Sequence, residues 1–80
     1  FEGVISGITN RGFYVELPNT VEGMVSVNDL KDDFYVFEEE QMELRGESSG
    51  KSYRLGQKLH VSVSGTDRMN RTIDFVVADK

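Results

Sequence analysis

Apolar and polar residues alternate along several short stretches of the chain. Phe13, Val15 and Leu17 alternate with Tyr14 and Glu16, and Val25 and Val27 alternate with Met24 and Ser26. Leu59, Val61 and Val63 alternate with His60, Ser62 and Ser64, and Ile73, Phe75 and Val77 repeat the same period. A period of two marks a strand with one buried face. The pattern predicts strands over 12–17, 22–27, 57–65 and 72–77, with the apolar set of each turned inward. A strand ahead of these is predicted over 2–9. There Ile5 and Ile8 stand three apart, and a bulge near Gly7 would return both to one face. Asn10-Arg11-Gly12 and Pro18-Asn19 supply the turns. Asn28 or Asp29 is placed to cap a single helical turn after the third strand.

Residues 31–55 break the pattern. Asp32-Asp33-Phe34-Tyr35-Val36-Phe37 is acidic and then aromatic. The segments 41–45 and 51–55 predict a small hairpin closed by 46–50. A connection of this length between strands is uncommon without structure of its own. Phe34, Tyr35, Phe37 and Tyr53 are expected to pack that hairpin against the rest. The predicted fold class is all-β: a five-stranded OB-fold barrel with a long insertion, a short helical turn plus a small hairpin, between strands three and four. An SH3-like barrel is the nearest alternative.

Composition narrows the function. The chain has 80 residues and a formal charge of −5. That length holds one domain and excludes most enzyme architectures, doubly wound sheets and large barrels among them. Ten Val and eight Phe or Tyr agree with strands, because branched and aromatic side chains pack well on a pleated surface. There is no Cys, so disulfides and thiolate zinc sites are excluded. No apolar run approaches the roughly 20 residues of a membrane span, and no membrane partner is expected. The chain begins at Phe1 rather than Met. It is therefore expected to be a fragment of a larger protein, with any targeting signal outside it. The negative charge argues against a generic polyanion binder, but it is regional. Residues 29–47 carry −6 and the remainder +1.

Several motifs carry no chemistry. Gly46-Glu47-Ser48-Ser49-Gly50-Lys51-Ser52 has three residues between its glycines where a phosphate-binding P-loop needs four, and no βαβ unit surrounds it. The acids at 32–33 and 38–40 read as a solvated charge run rather than a magnesium site. His60 has no second His or Cys to form a metal site. No Ser/His/Asp set is spaced for catalysis, and an independent nuclease is rejected. Asn70-Arg71-Thr72 is a formal glycosylation sequon, irrelevant in a cytoplasmic protein.

The segments Glu2-Gly3-Val4-Ile5-Ser6-Gly7-Ile8, Gly12-Phe13-Tyr14-Val15-Glu16-Leu17 and Val21-Glu22-Gly23-Met24-Val25 resemble the opening of the S1 RNA-binding domain family. The likeness resumes at Leu55-Gly56-Gln57-Lys58-Leu59 and from Asp67 to Phe75. The insertion, with Asp32-Asp33-Phe34-Tyr35, Leu44-Arg45-Gly46-Glu47 and Gly50 through Gly56, is similar to that of ribonuclease R-type exoribonucleases, as is Arg71-Thr72-Ile73-Asp74-Phe75. The resemblance implies an OB-fold that holds single-stranded RNA as an accessory domain. It also implies chemistry, and any magnesium, in a separate domain of a hydrolase, with no cofactor in this one. It carries the RNA face onto Arg11, Tyr14, Ser26, Asp67 and Arg71. Arg11 stands where an aromatic is common, and Ser26 where His is common. Arg11 can still stack its guanidinium plane on a base. Lys58 joins Arg11 and Arg71 as a phosphate contact, and Lys51, Tyr53 and Arg54 form a secondary RNA set. The expected partners are single-stranded RNA and other domains of the parent enzyme. The isolated domain is expected to be monomeric and the protein cytoplasmic. The alternative function is a docking module, with the acidic insertion against a basic neighbouring domain.

Overall fold

The alternating strands close on themselves. A computed structural model describes residues 1–67 and 72–78. In chain order it contains β1 (Glu2–Thr9), β2 (Gly12–Glu16), β3 (Glu22–Ser26), a 3₁₀ helix (Val27–Asp29), β4 (Tyr35–Glu38), β5 (Glu43–Gly46), β6 (Ser52–Arg54), β7 (Lys58–Asp67) and β8 (Thr72–Val77). Five strands form a closed barrel in the order β1-β2-β3-β8-β7. Every pairing in it is antiparallel except β3 with β8, which is parallel. The barrel interior takes Ile5, Ile8, Phe13, Val15, Val25, Leu59, Val61 and Phe75. Each such side chain contributes about 1.5–3 kcal/mol when fully buried.

The pairing of β1 with β2 slips between Ile5 and Gly7. This is the bulge that the Ile5–Ile8 spacing requires, and both isoleucines are buried. Other boundaries differ from the pattern. β2 stops at Glu16, because the Leu17 N–H donates to the Val21 carbonyl at 2.8 Å and a turn begins there. β3 stops at Ser26, and Val27 opens the 3₁₀ helix. The cap is Ser26 rather than Asn28 or Asp29. Its hydroxyl accepts from the Asn28 N–H at 3.2 Å. β7 runs on to Asp67, beyond its predicted end at residue 65. Val63 is not inward but 49% exposed. β1 reaches along β7 only as far as His60, and the β7–β8 register slips between Val63 and Gly65. Val63 therefore lies beyond the covered wall.

The insertion contains the expected hairpin, as β5 paired antiparallel with β6, and extends it by a further strand into the three-stranded sheet β4-β5-β6. The acidic–aromatic run at 32–37 supplies the extra strand. Tyr35, Leu44 and Tyr53 turn toward the barrel and join its core, with Phe37 packed against them. Tyr53 stacks on Phe13 with ring centroids 4.8 Å apart, and Tyr35 lies 5.5 Å from Tyr53. The Tyr35 hydroxyl donates to Asp32. Burial, with Tyr53 and Asp32 beside it, holds the Tyr35 phenol well above its ordinary range. Phe34 stays exposed. On the sheet's other face Glu43 is only 2% exposed. Arg45 and Arg54 cover it, with their Nε atoms 3.0 and 3.1 Å from its two carboxylate oxygens.

Asp33 ties the β5–β6 loop. Its carboxylate accepts from the N–H groups of Phe34, Ser48 and Ser49 and from the Ser49 hydroxyl. The Ser49 N–H and hydroxyl do most to lower its pKa, from 3.8 to about 2. A carboxyl depressed on folding stabilises above its unfolded pKa and loses that contribution as pH falls through the folded one. The loop is thus expected to stay closed down to about pH 4 and to open between pH 4 and 2. The Ser48 and Ser49 amide resonances should titrate with a midpoint near 2, and Asp33→Asn should abolish that titration. Movement already complete at pH 4 would show that the contacts do not hold the carboxylate.

Candidate nucleic-acid interface

Tyr14 occupies the centre of an outward sheet face. Phe13 and Val15 fill the interior on either side of it, so the pleat sends Tyr14 out, and it is 39% exposed. In register it lies between Gly7 of β1 and Met24 of β3, and Met24 is followed by Asp74 of β8. A Cβ added to Gly7 would sit 3.4 Å from Tyr14 Cδ2. The ring therefore lies across the backbone of β1, against a position that carries no side chain. A depression of about 290 Å³ opens beside the ring, lined by Tyr14, Glu22, Met24, Thr72 and Asp74 among others.

Arg11 and Ser26 stand at one end of this face. Ser26 is the register partner of Gly12, one pleat beyond the Tyr14–Met24 pair. The Arg11 N–H donates to Thr9 Oγ1 at 3.1 Å, and its carbonyl accepts from the Val27 N–H at 2.8 Å. The backbone of Arg11 is thus held on both sides while its side chain is exposed. The Ser26 hydroxyl oxygen is engaged by its cap but retains its proton for donation. Asp67 is the register partner of Thr72, which brings the end of β7 to the same depression. Arg71 lies outside the described residues, immediately before Thr72 in the chain.

Other predicted contacts are not brought to this face. Lys58 pairs with Val4, which also faces Glu16, and it lines a separate depression with Glu2 and Pro18. That is three residues, or about 10 Å, along β1 from Gly7. Of the secondary set, Tyr53 is corrected, and Lys51 and Arg54 stay at the surface in ion pairs. Tyr53 is a buried core ring stacked on Phe13, because the insertion needs an anchor there. Arg54 pairs with Glu43 at 3.1 Å, and Lys51 Nζ lies 3.9 Å from Asp32 Oδ2 and 5.6 Å from the Tyr53 ring centre. Conversely, sequence reasoning passed over Glu22 and Asp74, the exposed carboxylates beside Tyr14. The signal was present for Asp74, which alternates with the inward Ile73 and Phe75. Ser6 donates to Glu22 Oε2 at 2.6 Å and steadies it.

Among the described residues, no group of three or more His, Asp or Glu side chains converges on a point suited to a metal ion. No helix among them is long and apolar enough to cross a membrane.

Comparison with known proteins places this barrel. Residues 1–77 match the family model of the S1 RNA binding domain. The chain belongs to the S1 RNA-binding domain family. The S1 domain is 40% identical over 75 residues to ribonuclease R 1 of Lactococcus lactis, covering 94% of this chain and 9% of that relative. It is 43% identical over 76 residues to ribonuclease R of Escherichia coli, with the same coverage. Among solved structures, RNase R from Mycoplasma genitalium superposes with a TM-score of 0.91 at 31% identity, over 96% of this chain and 12% of that one. A second structure of that protein, in complex with ribose methylated single-stranded RNA, superposes equally well. The S1 domain thus spans about a tenth of the length of the curated relatives it matches.

Proposed function

We propose that this S1 domain is the accessory single-stranded RNA grip of a ribonuclease R-type 3′-to-5′ exoribonuclease. The observation that carries the reading is Tyr14, an exposed ring laid over Gly7 at the centre of the barrel's outer face. Its solved relative in complex with single-stranded RNA supports it. A base stacks on Tyr14, and stacking tolerates any sequence because every base has a π-face. Arg11 at one end, with Arg71, takes phosphates, and Ser26 and Asp67 supply polar contacts. Phosphodiester cleavage, with its magnesium, belongs to another domain of the parent, and this domain needs no cofactor. Its contribution is effective concentration, since a tethered grip keeps RNA near the catalytic channel. The other partners are the parent's own domains, the isolated domain is a monomer, and the parent works in the cytoplasm.

An amide NMR titration with a short single-stranded RNA at low salt tests this. Shifts are expected at residues 11–16, 24–26 and 72–74. Tyr14→Ala is expected to weaken binding by about 1–3 kcal/mol. If about three phosphates are neutralised, log K should fall with log salt at a slope near −2. Affinity unchanged when Tyr14 and Arg71 are both replaced by Ala would overturn the assignment.

A further inference from the structure

The depression beside Tyr14 carries acceptor groups that a sequence-blind grip does not need. Tyr14 and Asp74 flank Met24 on either side in register. They are two interstrand steps apart, about 10 Å. A base stacked on Tyr14 and extended over Met24 therefore brings its hydrogen-bonding edge to Asp74, with Glu22 on the same rim. Asp74 is open from the β7 side as well, because its neighbour there is Gly65, where even an added Cβ would stop 3.9 Å from Asp74 Oδ2. Glu22 is oriented by the Ser6 hydroxyl on its Oε2.

An ionised carboxylate can only accept hydrogen bonds. Cytosine, adenine and guanine each carry an exocyclic amine that donates to such a group, as cytosine N4 does to Asp or Glu. Uracil has a carbonyl where cytosine carries its N4 amine, so at that position it meets the carboxylate acceptor to acceptor and keeps only its ring N3–H as an edge donor. We propose that Asp74 and Glu22 make this site discriminate against uracil in favour of bases with an exocyclic amine. The inference rests on the RNA-binding reading of the Tyr14 face. The same carboxylates repel phosphate, so base edges rather than phosphates meet Asp74, and the phosphates are left to Arg11 and Arg71.

Cytosine and uracil give the cleanest test, since both are pyrimidines of similar stacking area. Fluorescence anisotropy would compare six-nucleotide oligo(C) and oligo(U) on this chain at pH 7 and low salt, with the Tyr14 amide followed by NMR. Oligo(C) is expected to bind about tenfold tighter, within the range for one good base contact. Asp74→Asn combined with Glu22→Gln, both exposed positions, should bring the two Kd values within about twofold, mainly by tightening oligo(U). Equal affinities in the unsubstituted chain, with Tyr14 shifting, would overturn the discrimination and leave the RNA face standing. A preference for oligo(C) that survives the double substitution would also overturn it. If neither oligonucleotide moves Tyr14, the RNA face itself is wrong and the discrimination falls with it.

Discussion

Gly12→Ala is expected to remove roughly a third or more of the domain's stability at 25 °C. Gly12 opens β2 with φ +150°, inside the region that side chains avoid. A Cβ there would stand 2.0 Å from the Val25 carbonyl oxygen and 3.1 Å from the Ser26 Cα. Both obstacles are backbone atoms of the paired strand, so no side-chain rotation relieves them. Relief requires β2 and β3 to part at the seam that carries Phe13 and Val25, both fully buried. A cost of about 4 kcal/mol or more follows, the scale reached only by core disruption or severe backbone strain. A domain of this size has only about 4–12 kcal/mol in total. Gly50→Ala is the control. Its φ is +72° but nothing lies within 4 Å of the added Cβ, so it should cost only about 1–2 kcal/mol. Urea unfolding followed by circular dichroism distinguishes them. Equal midpoints for the two variants would show that close approach at Gly12 is not the constraint.

Phe13→Ala should cost about 3–5 kcal/mol, the usual range for truncating a buried phenylalanine. The larger consequence is local. Phe13 belongs to the barrel and Tyr53 to the insertion, and their stacked rings join the two sheets. Tyr35 reaches the barrel partly through Tyr53. Without the Phe13 ring, the β4-β5-β6 sheet loses its central contact and should open ahead of the barrel. Amide hydrogen exchange at Leu44 and Tyr53 is expected to rise well above that at Val61 and Phe75. Phe13→Leu, which keeps most of the volume, should cost less, near 1.5 kcal/mol. Uniform exchange across both sheets of the Ala variant would show that they unfold as one unit without this contact.

The barrel was legible because strand alternation is a local signal. Phe13 and Val15 alternate with Tyr14 and Glu16, Val25 with Met24 and Ser26, and Phe75 follows Asp74, while Ile5–Ile8 announced its bulge by breaking the period. Tyr14 was legible for the same reason. What escaped was set by neighbours distant in sequence. Val63 alternates as an inward residue but lies where β1 has already ended. Tyr53 sits between two cations, like a surface ring, and only the arrival of β2 makes it core. Arg54 gives no local sign of the buried Glu43 with which it pairs. Asp33 resembled an acid in a charge run, yet its value lies in a loop fifteen residues onward. Arg71 lies outside the described residues and was read from its place before Thr72-Ile73-Asp74-Phe75.

The parallel pairing of β3 with β8 has a kinetic consequence. Met24 pairs with Asp74, about fifty residues later in the chain. During synthesis at about 5–20 residues per second, β3 waits roughly 3–10 s before its partner exists. Closure by so distant a partner places the domain among slow folders, since non-local pairing carries a large loop-closure cost before any contact offsets it. Through that interval the three-strand meander β1-β2-β3 shows an unpaired edge that any other extended chain could extend. Glu22 opens that edge strand, and a second copy pairing there in parallel and in register, the sense in which β8 pairs, would set Glu22 beside Glu22. The carboxylate assigned above to reading a base would, in the nascent chain, also keep one copy from zipping onto another.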